Sequence, residues 1–299
     1  FHADITPRTH DIGDDIDDSW AVAMLLNSPE LDVKLITTVR GDPDPRARIV
    51  AKMLAAAGRT DIPVGIGVPC GKNTVQIMPW IDSFDPKAAG ITMYPDGVNE
   101  MIRVIMSSSE MVTLIAIGQV TNIAEALRRE PRIAERARIV AMFGSIAKHH
   151  KTNREEGIFD GIIPEWNVKQ DVAAAQAMFR ASWPITITPL DTCADIVLSG
   201  EHYKRAAAST LPVTRTVMES YAMWRHGPDT GKSSILFDTV AVYLAFSEDL
   251  LEMEEMMLAV DDEGYTRKSD SGRPVRTAIR WKDRERLSHA FKELLVSRL

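Results

Sequence analysis

Apolar, β-branched runs alternate with segments of helical spacing from residue 33 to residue 191. VKLITTV (33–39) and MVTLIAIG (111–118) read as buried strands; IPVGIGV (62–68), RIVAMFG (138–144) and ITITPLD (185–191) read as further strands. Between them DPRARIVAKMLAAAG (44–58) predicts a helix entered after a proline and stopped at Gly58. Residues 97–107, 121–130 and 168–181 predict further helices, with Thr121 or Asn122 near the cap of the second. Buried strands alternating with helices predict an α/β fold, an open and mainly parallel sheet flanked by helices. From 199 to 250 the pattern is largely helical, with amphipathic stretches at 212–225 and 238–246. MMLAV (256–260) and VRTAIRW (275–281) flank the turn-rich DDEGYTRKSDSGRP and predict an antiparallel hairpin at a sheet edge, followed by an amphipathic helix over 282–298. The opening FHADITPRTH reads as a poor central strand, because of Pro7 and its charges. No internal repeat or low-complexity linker interrupts the pattern, so a single domain over 1–299 is expected.

Composition narrows the partners. With 299 residues, 45% of them hydrophobic, the chain can bury one large core. A net charge of -7 argues against a nucleic-acid or anionic-membrane surface. The two thiols, Cys70 and Cys193, give no disulfide framework and no zinc spacing. No apolar run reaches transmembrane length, and the N-terminus lacks the apolar stretch of a secretion signal. The expected location is the cytoplasm, although an earlier removed leader would leave the same sequence.

The densest chemistry is at the start. Five of the eight residues from Asp11 to Asp18 (DIGDDIDD) are aspartates, and the apolar run AVAMLL follows after Ser19 and Trp20. Carboxylates this close repel one another unless a cation or polyol hydroxyls draw them together, and calcium and magnesium suit all-oxygen sites. A solvated helix N-cap explains the same pattern, since Asp satisfies free N–H groups and complements the helix dipole. Both readings stay open on this loop alone. Other polar signatures fall at strand ends: Asp42, Thr121 with Asn122, Ser145 and Asp191. Ligands of open parallel sheets bind beyond those ends, so one shared site is expected. Asp191 reads as structural support there.

Four further segments join the aspartate loop: RGDPDPRARIV (40–50), IGQVTNIAEAL (117–127), PEWNV (164–168) and SILFDTVAVYLAF (234–246). In this order they resemble the calcium-dependent nucleoside hydrolases of the inosine-uridine preferring type, collinearly from residue 11 to about 246. The resemblance implies an open α/β sheet and hydrolysis of the N-glycosidic bond of ribonucleosides to ribose and free base. It also implies a Ca2+ cofactor and a homodimer or homotetramer. Ile12-Gly13 matches the family's Pro-Gly turn if two residues are inserted after it. Asp11 then corresponds to the aspartate that binds calcium and activates water, Asp17 to a ribose ligand and Asp18 to a bidentate calcium ligand. An ungapped match would put Gly13 at the base position. Asp14 and Asp15 belong to the insertion and receive no role. By the same resemblance Thr121 offers calcium its main-chain carbonyl, and Asp238 completes the ligands and touches ribose. Glu165 and Asn167 match the ribose-binding pair; in an extended segment they would point to one side. Asp42 falls where the family has a sugar-binding Asn, though its D-P-D-P turn gives it a shaping role as an alternative.

These residue types fit the chemistry. Cleavage of an N-riboside passes through an oxocarbenium-like state; a calcium-held water, a carboxylate base and hydroxyl-specific hydrogen bonds favour it. The chain also departs from the family pattern. Thr9 stands where an aspartate is expected, and the Asn upstream of the Glu-Trp-Asn segment has no counterpart, Asp160 and Asn153 being the nearest polar residues. Phe237 replaces the His that precedes the last Asp and helps protonate the leaving base. Phe237 reads equally as core or pocket wall. His226 reads as either a proton donor or a surface residue, and Trp224 stands near it. Trp166 is the tryptophan expected to touch ligand, and His149 and His150 read as part of a polar loop. Two rivals remain: a hydrolase of another N-riboside, and a calcium-dependent nucleoside or sugar binder without turnover.

Overall fold

The structure, a computed structural model, describes residues 3–6, 12–71, 75–152, 155–225 and 227–299, with the backbone alone for 3–6, 151–152, 155–157, 284 and 287. Its strands are β1 (Ala3–Thr6), β2 (Leu31–Val33), β3 (Ile36–Thr38), β4 (Val64–Ile66), β5 (Met93–Tyr94), β6 (Val112–Ala116), β7 (Ala137–Met142), β8 (Lys148–Thr152), β9 (Glu155–Asp160), β10 (Ile185–Thr188), β11 (Leu251–Val260), β12 (Thr266–Lys268) and β13 (Arg273–Trp281). The main sheet has the order β12-β11-β13-β10-β7-β6-β1-β2. From β2 to β13 every pairing is parallel, whereas β11 and β12 add an antiparallel edge. This is the expected α/β architecture, with the edge hairpin carrying one additional short strand.

The central strands are apolar at nearly every position because helices cover both sides. All of β6 is buried, and its side chains alternate between two cores. Ile115 joins helices Asp17–Leu26, Pro212–Trp224 and Phe237–Leu244 on one face. Leu114 and Ala116 join Gly97–Ser107, Thr121–Arg129 and Val172–Arg180 on the other. Burial on both faces is what removes the polar alternation of a one-sided sheet.

Three expectations need correction. The run 33–39 is not one strand: β2 pairs with β1, while β3 leaves for a separate parallel sheet, β3-β4-β5. The break falls at Lys34, which is exposed and paired with Asp32, so a charge interrupts the apolar run. The opening segment does supply a central strand: β1 lies between β2 and β6, and it is short, four residues ending at Thr6. Residues 168–181 are two helices, Trp166–Lys169 and Val172–Arg180, because the Asp171 carboxylate accepts from Ala174 N (3.0 Å) and starts a new cap. The polar loop that carries His149 and His150 contains the antiparallel ribbon β8-β9. Among the described residues no helix is long and apolar enough to cross a membrane.

Candidate active site

A cavity of about 360 Å³ opens beyond the carboxyl ends of the parallel strands. Ile117 follows β6, Met142 ends β7 and Leu190 follows β10; these form its floor with Phe237 and Ile163. Asp14, Asp15, Asp17, Glu165 and Asp238 supply its acidic lining, with Gln76, His150, Asn167 and Lys169 as its other polar side chains.

Asp17, Asp18 and Asp238 offer carboxylate oxygens that all lie within 4.8 Å of one another. They are 5%, 1% and 3% exposed, respectively. Asp17 and Asp18 open helix Asp17–Leu26, Asp238 lies in the first turn of Phe237–Leu244, and the two helices pack together. Asp17 and Asp238 reach the cavity, with Asp18 outside its lining. The loop is not acting as a side-chain cap: the N-cap position is Ile16, and it makes no side-chain cap hydrogen bond. Three buried carboxylates at this spacing fit a hard divalent cation, which binds all-oxygen sites and offsets the repulsion. The surrounding field agrees. The buried Cys193 thiol is held well above its ordinary range, first by burial and then by the negative charges of Glu165, Asp238 and Asp17. A second cluster, His202, His289 and Glu293, lies on helices Gly200–Ala207 and Arg284–Ser297. There both Glu293 oxygens accept from Arg205 Nη1 (3.0 and 2.8 Å), so the carboxylate is already neutralised by an ion pair near solvent.

Backbone contacts fix the acidic loop. Arg46, fully buried, donates from Nη1 to the Ile12 carbonyl (2.8 Å) and from Nε to the Arg40 carbonyl (3.0 Å). Gln76 N donates to Gly13 O (2.6 Å); Gln76 Nε2 and Trp224 Nε1 both donate to Asp14 O (2.7 and 3.0 Å). Gly13 has φ +94°, and a Cβ there would meet Ile49 Cδ1 at 2.7 Å. Arg40 Nη2 pairs with Asp14 Oδ2 (3.0 Å), and its guanidinium lies 4.9 Å from the Trp166 ring centroid.

Glu165 is the N-cap of helix Trp166–Lys169. Its carboxylate accepts from Asn167 N (2.9 Å), Val168 N (3.3 Å) and Gly144 N (3.1 Å). Asn167 Nδ2 donates to Met142 O (3.1 Å). Glu165 and Asn167 therefore share the cavity wall through a capped turn rather than an extended segment. Trp166, 51% exposed, stands at the cavity between them. Phe237 is both core and wall: it is buried and lines the cavity, its ring 4.9 Å from His150.

Other expected residues lie outside the cavity lining or outside the described residues. Asp42 is the exposed N-cap of helix Pro43–Ala56, accepting from Asp44 N (3.1 Å), and lies outside the cavity lining; its turn-shaping role is the one the geometry displays. Thr121 begins helix Thr121–Arg129, and its hydroxyl donates to Asp171 Oδ2 (2.5 Å), so its side chain is engaged away from the cavity. Asp191 supports the strand end, accepting from Ile146, Ala147 and Lys148 N (2.9, 2.9 and 3.0 Å). Asp11, Thr9, Asn153 and His226 lie outside the described residues.

The inosine-uridine preferring nucleoside hydrolase family model matches residues 9–290. The chain belongs to that family. Among curated relatives, the pyrimidine-specific ribonucleoside hydrolase RihA of Citrobacter koseri is 31% identical over 214 residues, 68% of this chain and 66% of that protein. RihA of an Enterobacter species is 32% identical over the same shares. The alignment thus spans slightly less than two thirds of these relatives' length. The inosine-uridine preferring nucleoside hydrolase from Bacillus anthracis has the same fold, with a TM-score of 0.77 at 19% identity over 99% of this chain and 100% of that one. A purine-preferring ribonucleoside hydrolase from Gardnerella vaginalis superposes with a TM-score of 0.73 at 21% identity, over 98% and 99%.

Within this nucleoside hydrolase fold, the sequence singles out neither Arg40, Arg46 nor Gln76, and it assigns His150 only to a polar loop. A buried Arg has no local sequence signal; Arg46 sits in an ordinary amphipathic helix. His150 had one available signal, the alternation of β8, which places it opposite Ile158 and on the other face from His149.

Proposed function

We propose that the chain hydrolyses the N-glycosidic bond of ribonucleosides, giving ribose and free base. The observation that carries this reading is the trio of buried carboxylates, Asp17, Asp18 and Asp238, two of which reach a cavity with a floor of Ile117, Met142, Leu190 and Phe237. The relatives differ in the base named for them, pyrimidine in RihA and purine in the Gardnerella enzyme. What such enzymes share is ribose, and the polar groups here suit a polyol.

In this reading Asp18 and Asp238 would hold calcium, together with Asp11 and the Thr121 carbonyl that the family resemblance implies. A bound calcium would supply Lewis acidity to a water and a fixed positive charge for vicinal hydroxyls. Asp11 would be the base that takes a proton from the attacking water. Asp17 and Asp238, which reach the cavity, accept from ribose hydroxyls. Glu165 and Asn167 orient the sugar, because their own rotamers are fixed by Gly144, Val168 and Met142 backbone. Phe237, Ile163 and Trp166 present apolar surface to the base and keep water from its face. The whole chain acts as one domain and assembles as a homodimer or homotetramer, which light scattering on the purified protein tests.

The deciding experiment measures reducing sugar released from a panel of ribonucleosides, with calcium, with a chelator, and with calcium restored. Release that follows calcium is expected, with 2′-deoxyribonucleosides at least about 1,000-fold slower because buried carboxylates lose a partner. Binding of ribonucleosides without sugar release from any of them overturns the hydrolase reading. Release by Asp11→Ala at the wild-type rate overturns the assignment of the base.

A further inference from the structure

We propose that His150, on the β8-β9 ribbon, is the group that donates a hydrogen bond to the departing base. The inference rests on the hydrolase reading above and adds the residue that activates the leaving group, which no sequence motif supplied.

The placement follows from the ribbon. In β8-β9 His150 is opposite Ile158, and His149 is opposite Phe159. Side chains of neighbouring positions point to opposite faces, so His150 and Ile158 share one face and His149 and Phe159 the other. Ile158 packs on the core beneath the cavity, while Phe159 is exposed. His150 accordingly lines the cavity, its ring tilted at 59° to Phe237 with centroids 4.9 Å apart. The base of the ribbon is held firmly. Asp191 accepts three successive N–H groups, from Ile146, Ala147 and Lys148. Ser145 Oγ donates to Lys148 O (2.7 Å) and accepts from Ile163 N (3.2 Å), and Gly161 N donates to Ala147 O (2.8 Å).

The ring's own chemistry selects which nitrogen acts. Nδ1 is buried and has no hydrogen-bond partner among the described residues. An orphaned N–H is rarer and costlier than an orphaned acceptor, so the proton belongs on Nε2, the nitrogen left for a ligand. Burial, and then the neighbouring His149 charge, hold His150 down at about 4. At neutral pH the ring is therefore an uncharged N–H donor. When the C1′–N bond breaks, its electron pair moves onto the base, and an N–H aimed at that nitrogenous ring system is worth more to the developing anion than to the bound nucleoside. Water adds at C1′, and the proton it loses is the one the free base finally carries, so the reaction balances without a net change at His150. The other non-acidic hydrogen-bonding side chains in the lining fit less well: Gln76 is already spent on Asp14 O and Asn167 on Met142 O, Lys169 is exposed at the rim, and Trp166 is half exposed with Arg40 over its ring.

The test compares ribonucleosides with 4-nitrophenyl β-D-ribofuranoside, whose leaving group needs no donor, on wild type, His150→Ala, His150→Gln and Lys169→Ala. Expected for His150→Ala is a fall in kcat on ribonucleosides of about 100- to 1,000-fold, with the nitrophenyl riboside changed by no more than about threefold. His150→Gln keeps an N–H and recovers part of the loss, and Lys169→Ala stays near wild type. Retained nitrophenyl activity shows that the variant is folded. Equal loss on both substrates, or loss on ribonucleosides in Lys169→Ala instead, overturns the assignment while leaving the hydrolase reading intact. A wild-type protein inactive on both substrates overturns the hydrolase reading and this inference with it.

Discussion

Arg46 is the residue whose removal tests how the acidic loop is held. Its guanidinium is fully buried and joins two segments: the Ile12 carbonyl, where the acidic loop begins, and the Arg40 carbonyl, beside the ion pair to Asp14. Arg46→Met keeps most of the length and apolar stem but removes both donors. Each buried carbonyl left without a partner costs about 1–3 kcal/mol. Part of that is offset, because a guanidinium no longer has to be desolvated, so a net loss of about 2–4 kcal/mol is expected. For a chain of this length the unfolding entropy is roughly 0.6 kcal/mol per degree, which converts the loss to a Tm about 3–6 °C lower. The loop also loses its register against helix Asp17–Leu26, and disturbed support of metal ligands lowers metal affinity by about 10- to 100-fold. Calorimetry gives the first quantity and calcium titration the second. A Tm within about 1 °C of wild type, together with unchanged calcium affinity, would refute the idea that this guanidinium organises the loop.

Calcium at about 100 times its Kd should stabilise the wild-type protein by about 2.7 kcal/mol, and Asp18→Asn or Asp238→Asn should abolish that shift in a thermal scan. Gly13→Ala should cost about 1–3 kcal/mol by denaturant unfolding, because φ is +94° and the new Cβ would meet Ile49; an unchanged midpoint would count against the loop geometry. His150 ordinarily titrates near 6.5 and is held at about 4 in the folded protein, so the unfolded chain binds the extra proton between those values. Stability should therefore fall as pH is lowered from about 6.5 towards 4, and His150→Leu should flatten that slope in chemical-denaturation curves.

The fold was legible where burial decides the residue type. β6, β7 and β10 are covered on both faces, so their sequences could only be apolar runs, and the helices between them carry amphipathic spacing. It was less legible where one run serves two sheets. Nothing in VKLITTV except Lys34 marks the point at which the chain leaves β2 for β3, because both halves need the same apolar residues. The site divides in the same way. Asp17, Asp18, Glu165, Asn167 and Asp238 stand out as polar residues where apolar strands end or apolar helices begin. Their supports do not stand out: Trp224 reaches Asp14 across 210 residues, and Arg46 reaches Ile12 across 34, with no local pattern to announce either.

The choice between a helix cap and a cation site at the acidic loop turns on burial and partners. A capping aspartate is stabilised by helix N–H groups and by water, and it needs no second carboxylate. Here the cap position is Ile16, Asp15 accepts from the adjacent Ile16 N (2.7 Å), and Asp17 and Asp18 are buried against Asp238 from another helix. Arg40 pairs with Asp14 in this loop (3.0 Å). Bringing three carboxylates within 4.8 Å in a buried setting is costly unless protons or a cation accompany them. Protons would leave ribose hydroxyls facing neutral acids and would remove the acceptors the cavity presents. A divalent cation would instead keep every carboxylate ionised and draw the two helices together. The same charge arrangement that makes this loop expensive to bury should make its stability respond to added divalent cation in a thermal scan, which a simple N-cap would not do.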